Sequence, residues 1–359
     1  MRLMLLRPQG PLEHFFGRAL DRVGGEVLVN EKTKVRDLRD LRPDLVVATA
    51  EIWRNRRECV VEANQLGIPT LYVMDGILDW RHTFENDRFW PGQAFLHPLE
   101  SRKIAVPGRS AGRILASWGY AARVERVGLP RVDRALQGFT RRSVPRRTLL
   151  VVTPNAWWLN EEHRRAVERA MSDLVRSGAS LADAEIRWRV QPELAESIGV
   201  ASRWDRPLYD ELAEVHAVVG PPTTVLLEAM ALDLPVACVD YEQKPQLTRF
   251  AWTIAHEGAV VSTLQEVLAP DPRRMEFQRH LVDDQLEHDG GAEDRLVRLM
   301  DALMEEGARA RAEGRPPALD QPVLDAVSAM APSEPVVRSR SVLGRLRWRA
   351  RSRPGGGGA

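Results

Sequence analysis

The chain has 359 residues, more than one ordinary domain uses, and 44% of them are hydrophobic, enough apolar surface for two α/β cores. Its 51 Lys and Arg against 50 Asp and Glu leave a formal charge of +1, which removes any global electrostatic case for nucleic acid as a partner. The two cysteines, Cys59 and Cys238, lie far apart and suggest neither a disulfide framework nor a metal site, and no apolar run approaches the ~20 residues of a spanning helix, so a cytoplasmic protein is expected.

Short apolar runs at 3–6, 45–48, 69–74, 103–106 and 123–127 read as strands, with helix-period segments between them. That alternation is the signature of β-α-β units on a parallel sheet, so residues 1–140 are expected to form one doubly wound, Rossmann-like domain. His14 follows the first strand and the turn Q-G-P-L, near the start of the first helix. An imidazole with a pKa near ~6.5 suits proton removal at neutral pH, which makes His14 a candidate base, although a surface histidine at a helix start looks the same. Asp75, Asp79, His82 and Glu85 cluster in a turn-rich loop after the 69–74 strand, on the ligand-facing edge of such a sheet. Asp75 and His82 are therefore alternative catalytic candidates, while Asp75-Gly76 is also an ordinary turn dipeptide.

The periodicity lapses over 138–147 and restarts at 148–152, placing a second domain at 147–325. Further strands are expected at 185–190, 216–219, 235–239 and 259–262, and helices at 160–176 and 223–232. The segment T-P-N-A-W-W-L-N at 153–160 runs toward a helix capped by Asn160, and brings Asn155 and Trp157 to the ligand edge. Trp157 either stacks on a base or sugar or seals the interdomain hinge. The run A-V-V-G-P-P-T-T-V-L-L-E reads as strand, tight turn and helix, with Thr223 where an N-cap hydroxyl is wanted. Free amides and the positive end of the helix then make an anion site at Gly220, Pro222, Thr223 and Thr224, suited to a diphosphate. Glu228, one turn further in, is placed to accept from ribose hydroxyls, unless Thr223 only caps a structural helix and Glu228 is a solvated acid. Asp240, Glu242 and Gln243 follow the 235–239 strand and are candidates for sugar contacts.

Prolines at 316, 317, 322, 332 and 335 break regular structure, and residues 326–359 read as a basic tail without a fold. From Arg338 to Arg353 there are seven arginines, no acid, and Leu346 and Trp348 among the apolar residues. Such a run either holds the protein reversibly at an anionic membrane or is a solubilising or nucleic-acid-binding extension.

The strand-turn-helix element, with its L-E-A-M-A-x-x-x-P-V cadence at 227–236, resembles the nucleotide-binding element of GT-B glycosyltransferases. The resemblance implies an α/β protein of two Rossmann-like domains facing a cleft, with the diphosphate at the helix start and the ribose on Glu228. It implies no cofactor, only a nucleotide-activated donor as substrate. The patches V-G-L-P-R-V-D at 127–133 and M-D-G-I-L-D-W-R-H-T at 74–83 look like parts of bacterial CDP-glycerol glycerophosphotransferases and capsular-polysaccharide transferases. That likeness implies a glycan or lipid-linked acceptor and cell-envelope polymer synthesis, which a peripheral position on the inner face of the plasma membrane through the Arg338 to Arg353 run would suit. Arg131, in the G-L-P-R junction, is read either as a phosphate contact or as a surface arginine.

The sequence also departs from these relatives. Retaining GT-B enzymes carry a second glutamate eight positions before the one matching Glu228, and Gly220 stands there, which favours inversion. The glycerophosphotransferase group usually ends a strand in His-Pro, where this chain has R-V-Q-P. Arg189 and Gln191 are thus donor-side candidates, but the nucleotide base stays open. Non-hydrolysing UDP-N-acetylglucosamine 2-epimerases share the architecture but carry an S-G-G-x-Q-E-E element that P-P-T-T-V-L-L-E does not match. No D-x-D pair occurs, so no metal is expected. The expected function is inverting, metal-independent glycosyl or polyol-phosphate transfer; the alternatives are a non-catalytic GT-B-like nucleotide- or partner-binding protein and, ranked lower, a 2-epimerase.

Overall fold

A computed structural model describes residues 1–6, 11–87, 96–178, 180–181 and 183–324. The strands β1 (Arg2–Leu6), β2 (Glu26–Asn30), β3 (Leu45–Ala48), β4 (Thr70–Val73), β5 (Lys103–Val106) and β6 (Val124–Arg126) form one sheet in the order β2-β1-β3-β4-β5-β6. Every pairing in it is parallel. The strands β7 (Arg147–Val152), β8 (Ala184–Arg189), β9 (Ala217–Gly220), β10 (Val236–Val239) and β11 (Trp252–Ile254) form a second, also parallel, in the order β11-β10-β9-β7-β8. Helices on both faces explain why β3, β4, β5, β9 and β10 are buried at every residue, since a parallel sheet covered on two sides needs continuous apolar strands.

The strand order reverses between β1 and β3 in the first sheet and between β7 and β9 in the second. Open α/β sheets bind ligands outside the carboxyl ends of strands at such points. Gly220 closes β9 at the second of them, and a Cβ there would lie 2.2 Å from the carbonyl oxygen of Val152 on β7. A residue with a side chain cannot take this place without moving the sheet, which is the physical reason that no acid stands at 220.

Four elements differ from the sequence expectation. Residues 259–262 are not a strand: Val260–Leu268 is a helix that buries Val260, Leu264 and Val267 at helical spacing. The edge strands β2 and β11 escape a search for apolar runs, because β2 is half-exposed and β11 only three residues long. Helix Ala292–Glu313, expected with the second domain, buries Leu296, Leu299, Met300, Leu303 and Met304 against Leu3, Leu5, Leu45 and Val47 of the first sheet. The following segment is pinned to the same sheet. The buried Lys103 and Glu125 pair at 2.9 Å, Lys103 Nζ donates to the Gln321 carbonyl, and Glu125 accepts from the N–H groups of Val323 and Leu324. The basic tail, with its Arg338 to Arg353 run, lies outside the described residues. Among the described residues, no helix is long and apolar enough to cross a membrane.

Candidate functional site

Helix Thr224–Ala231 starts directly after the Gly220-Pro221-Pro222-Thr223 turn. Thr223 occupies the N-cap position in an extended conformation, but its hydroxyl makes no capping bond, which corrects the expectation of a side-chain cap. The first-turn amides therefore depend on a partner other than this side chain. Thr224, the next residue, meets the opposite domain: its Oγ1 accepts from the Ile77 N–H at 3.3 Å, and a Cβ on Gly76 would lie 1.9 Å from that oxygen. Glycine at 76 is thus what lets the β4 loop touch the helix start.

Around this contact the fold assembles one group of charged residues. Glu228 is 3% exposed; its Oε1 accepts from Arg131 Nε at 2.7 Å and its Oε2 from the Tyr209 hydroxyl at 2.9 Å. Arg131 is no surface arginine, since its side chain is 10% exposed, and its Nη1 also donates to the His14 carbonyl at 3.3 Å. His14 belongs to the short helix Leu12–Phe16, whose Phe15 and Phe16 are buried while His14 itself is exposed. Partial desolvation and the Arg131 guanidinium lower its pKa below 6.5, and the nearby Asp75 and Glu228 carboxylates oppose them. His14, Asp75, Thr224 and Glu228 are thereby neighbours, together with Arg131.

A second group lies on the other side of the turn. Arg81, in helix Trp80–Phe84, is 4% exposed and pairs with Asp240, with Glu242 at 2.6 Å and with Asp79 at 3.8 Å. Glu242 is therefore spent on an interdomain ion pair rather than open to a sugar, and Gln243 is an exposed turn residue with a positive φ of 52°. Asp79 caps its own helix through the His82 N–H. His82 sits beside His163, away from His14, so the loop residues Asp75 and His82 go to different groups. His163 is 7% exposed, has no partner for Nδ1 among the described residues, and burial pulls its pKa down to about 3.

The remaining donor-side candidates separate further. Gln191 donates from Nε2 to the Asn155 carbonyl at 2.9 Å, tying two loops at the mouth of β7 and β8; the Asn155 side chain is exposed. Arg189 is turned toward loop 203–206, donating to the Arg203, Trp204 and Arg206 carbonyls and lying 5.5 Å from the Trp204 ring centre, so it organises a loop instead of facing a phosphate. Trp157 is 3% exposed inside the second core and presents no face to a base. Arg81, His163 and Tyr209 were not singled out from sequence. His163 had a readable signal: it shares the buried face of its helix with Ala166, Val167, Ala170 and Met171.

The cavities along this interface hold about 10 Å³ each, space for about one water and far below the ~300 Å³ of ordinary small-molecule pockets. Neither a family model nor a curated protein matches this chain. Solved structures do match in fold. The UDP-GlcNAc 2-epimerase from Neisseria meningitidis bound to UDP-GlcNAc is 12% identical with a TM-score of 0.59, over 84% of this chain and 99% of that one. The S. aureus MnaA structure with UDP is 12% identical with a TM-score of 0.59, over 85% and 97%. The wall teichoic acid polymerase TagF is 10–11% identical with TM-scores of 0.53–0.55, the H444N variant covering 86% of this chain and 90% of that one. The architecture is therefore GT-B, two Rossmann-like domains around a cleft. At these identities the likeness fixes the fold and leaves the chemistry to the residues.

Proposed function

We propose that the chain is an inverting glycosyl or polyol-phosphate transferase with a nucleotide-activated donor. The supporting observation is His14, held below its usual pKa with Asp75 at hand, in the group that also contains the start of helix Thr224–Ala231. A neutral imidazole accepts the proton of an acceptor hydroxyl. In the sugar case the acceptor oxygen bonds to the anomeric carbon as the carbon–oxygen bond to the nucleoside diphosphate breaks, and the helix start takes the departing charge. No metal enters this reading, so EDTA leaves turnover unchanged. The fold shared with TagF supports an envelope glycan or polymer as acceptor, and the Arg338 to Arg353 run supports docking on an anionic membrane surface.

Thermal-shift screening with UDP, CDP, GDP and their sugar derivatives identifies the donor. Turnover of that donor is expected to fall by about 10² to 10⁴-fold in His14→Ala with nucleotide binding retained. Unchanged turnover removes His14 from the chemistry.

A second reading, a GT-B-like module that binds nucleotide or a partner without turnover, is favoured by one observation. The Thr224 hydroxyl and both Glu228 oxygens already have partners within the chain. Stabilisation by a nucleotide with no consumed donor, and no epimerised sugar, over many hours would select it.

A further inference from the structure

The cation on Glu228 stands close to where the donor's charge would be. Glu228 lies four residues beyond Thr224 in one helix, a rise of ~6 Å, so the Arg131 guanidinium on its Oε1 is within a side-chain swing of the helix start. Arg131 Nε donates to Glu228 and Nη1 to the His14 carbonyl; among the described residues it makes no other hydrogen bond, leaving three of five N–H donors available. A helix terminus offers only ~0.5 of a positive charge, too little for a diphosphate, whereas a guanidinium fork meets phosphate oxygens in pairs. The Glu228 carboxylate, for its part, is 3% exposed with Arg131 on one oxygen and Tyr209 on the other, so its spare lone pairs are covered and ribose hydroxyls reach them only when one of these neighbours moves.

Both conditions are met by a single exchange. We infer that Arg131 is a diphosphate ligand of the donor, parked on Glu228 until the donor arrives, when its guanidinium moves to the phosphates and ribose hydroxyls replace it on Glu228. This rests on the donor reading above. In each state the buried carboxylate and the guanidinium keep hydrogen-bonded partners, which is what burial of both demands.

The test is titration calorimetry on the full chain with UDP, CDP and GDP, the matching nucleosides, and inorganic pyrophosphate. Because Arg131→Ala alone strands Glu228 without its cation, the comparison runs between Glu228→Gln and the double variant Arg131→Ala/Glu228→Gln. Glu228→Gln should keep the preference for diphosphate over nucleoside. The double variant should lose about tenfold or more of that preference, with nucleoside affinity unchanged within about twofold. If the double variant keeps the preference, Arg131 is an interdomain tie and the inference fails while the donor reading stands. If the wild-type chain binds no nucleotide and no pyrophosphate, the donor reading and this inference fall together.

Discussion

At His14, desolvation and the guanidinium of Arg131 push the imidazole below its usual 6.5, while Asp75 and Glu228 push it back up. If the neutral ring is the base, kcat/KM falls in acid with a midpoint below 6.5. Asp75→Asn removes an influence that raises the pKa, so the acid limb is expected to move further down in pH; an upward move or no move would exclude Asp75 as its partner. His163 illustrates the same physics without chemistry. Its ring takes a proton near ~6.5 when unfolded and only at about 3 when folded, so the unfolded state binds more protons between those values. Stability from this residue is complete above pH 6.5 and is lost as the pH falls toward 3. Denaturant midpoints measured from pH 7 to 4 should therefore decline, and His163→Phe should flatten the slope.

Residues 76–87 belong to the first domain, where Leu78 joins its core, and reach across to the second. Thr248 donates to the Leu78 carbonyl, Arg81 pairs with Asp240 and Glu242, Lys244 pairs with Glu85, and Asn160 donates to the Glu85 carbonyl. Arg81→Met leaves two buried carboxylates without their cation and should cost about 3–5 kcal/mol in urea unfolding. A triple variant that also carries Asp240→Asn and Glu242→Gln should recover much of that loss; no recovery would mean the arginine acts by packing alone. This strap explains where sequence reading stopped. Strand, turn and helix at 217–231 were legible because apolar runs, paired prolines and helical spacing are local signals. Contacts between segments 97 to 161 residues apart leave no such trace, so Glu242 read as open to a sugar when Arg81 holds it, and Arg131 read as a surface residue or phosphate contact without its partner Glu228. Trp157 and Arg189 failed for a related reason: position at a strand end sets the neighbourhood but not the direction of a side chain. Val260 and Val261 misled through their β-branched character, which the period of Leu264 and Val267 overrides.

The chain passes from the first domain to the second through an exposed basic connector at 139–146 and returns before helix Ala292–Glu313. That helix is part of the first domain's core, beside β1 and β3. Limited trypsin cleavage in the connector should accordingly yield two fragments that migrate together in native gel filtration, held by the returning helix as well as by the strap. Separation under native conditions would show that the helix docks weakly. A further consequence concerns inheritance rather than stability. With residues 1–127 and 292–324 completing one body between them, and Leu129, Val132 and Leu136 packed into the second core, the stretch from 129 to 286 sits in the chain as a cartridge, replaceable through two junctions. Recombination at those junctions would exchange the second sheet and its helix Thr224–Ala231 while leaving the first sheet and its returning helix in place.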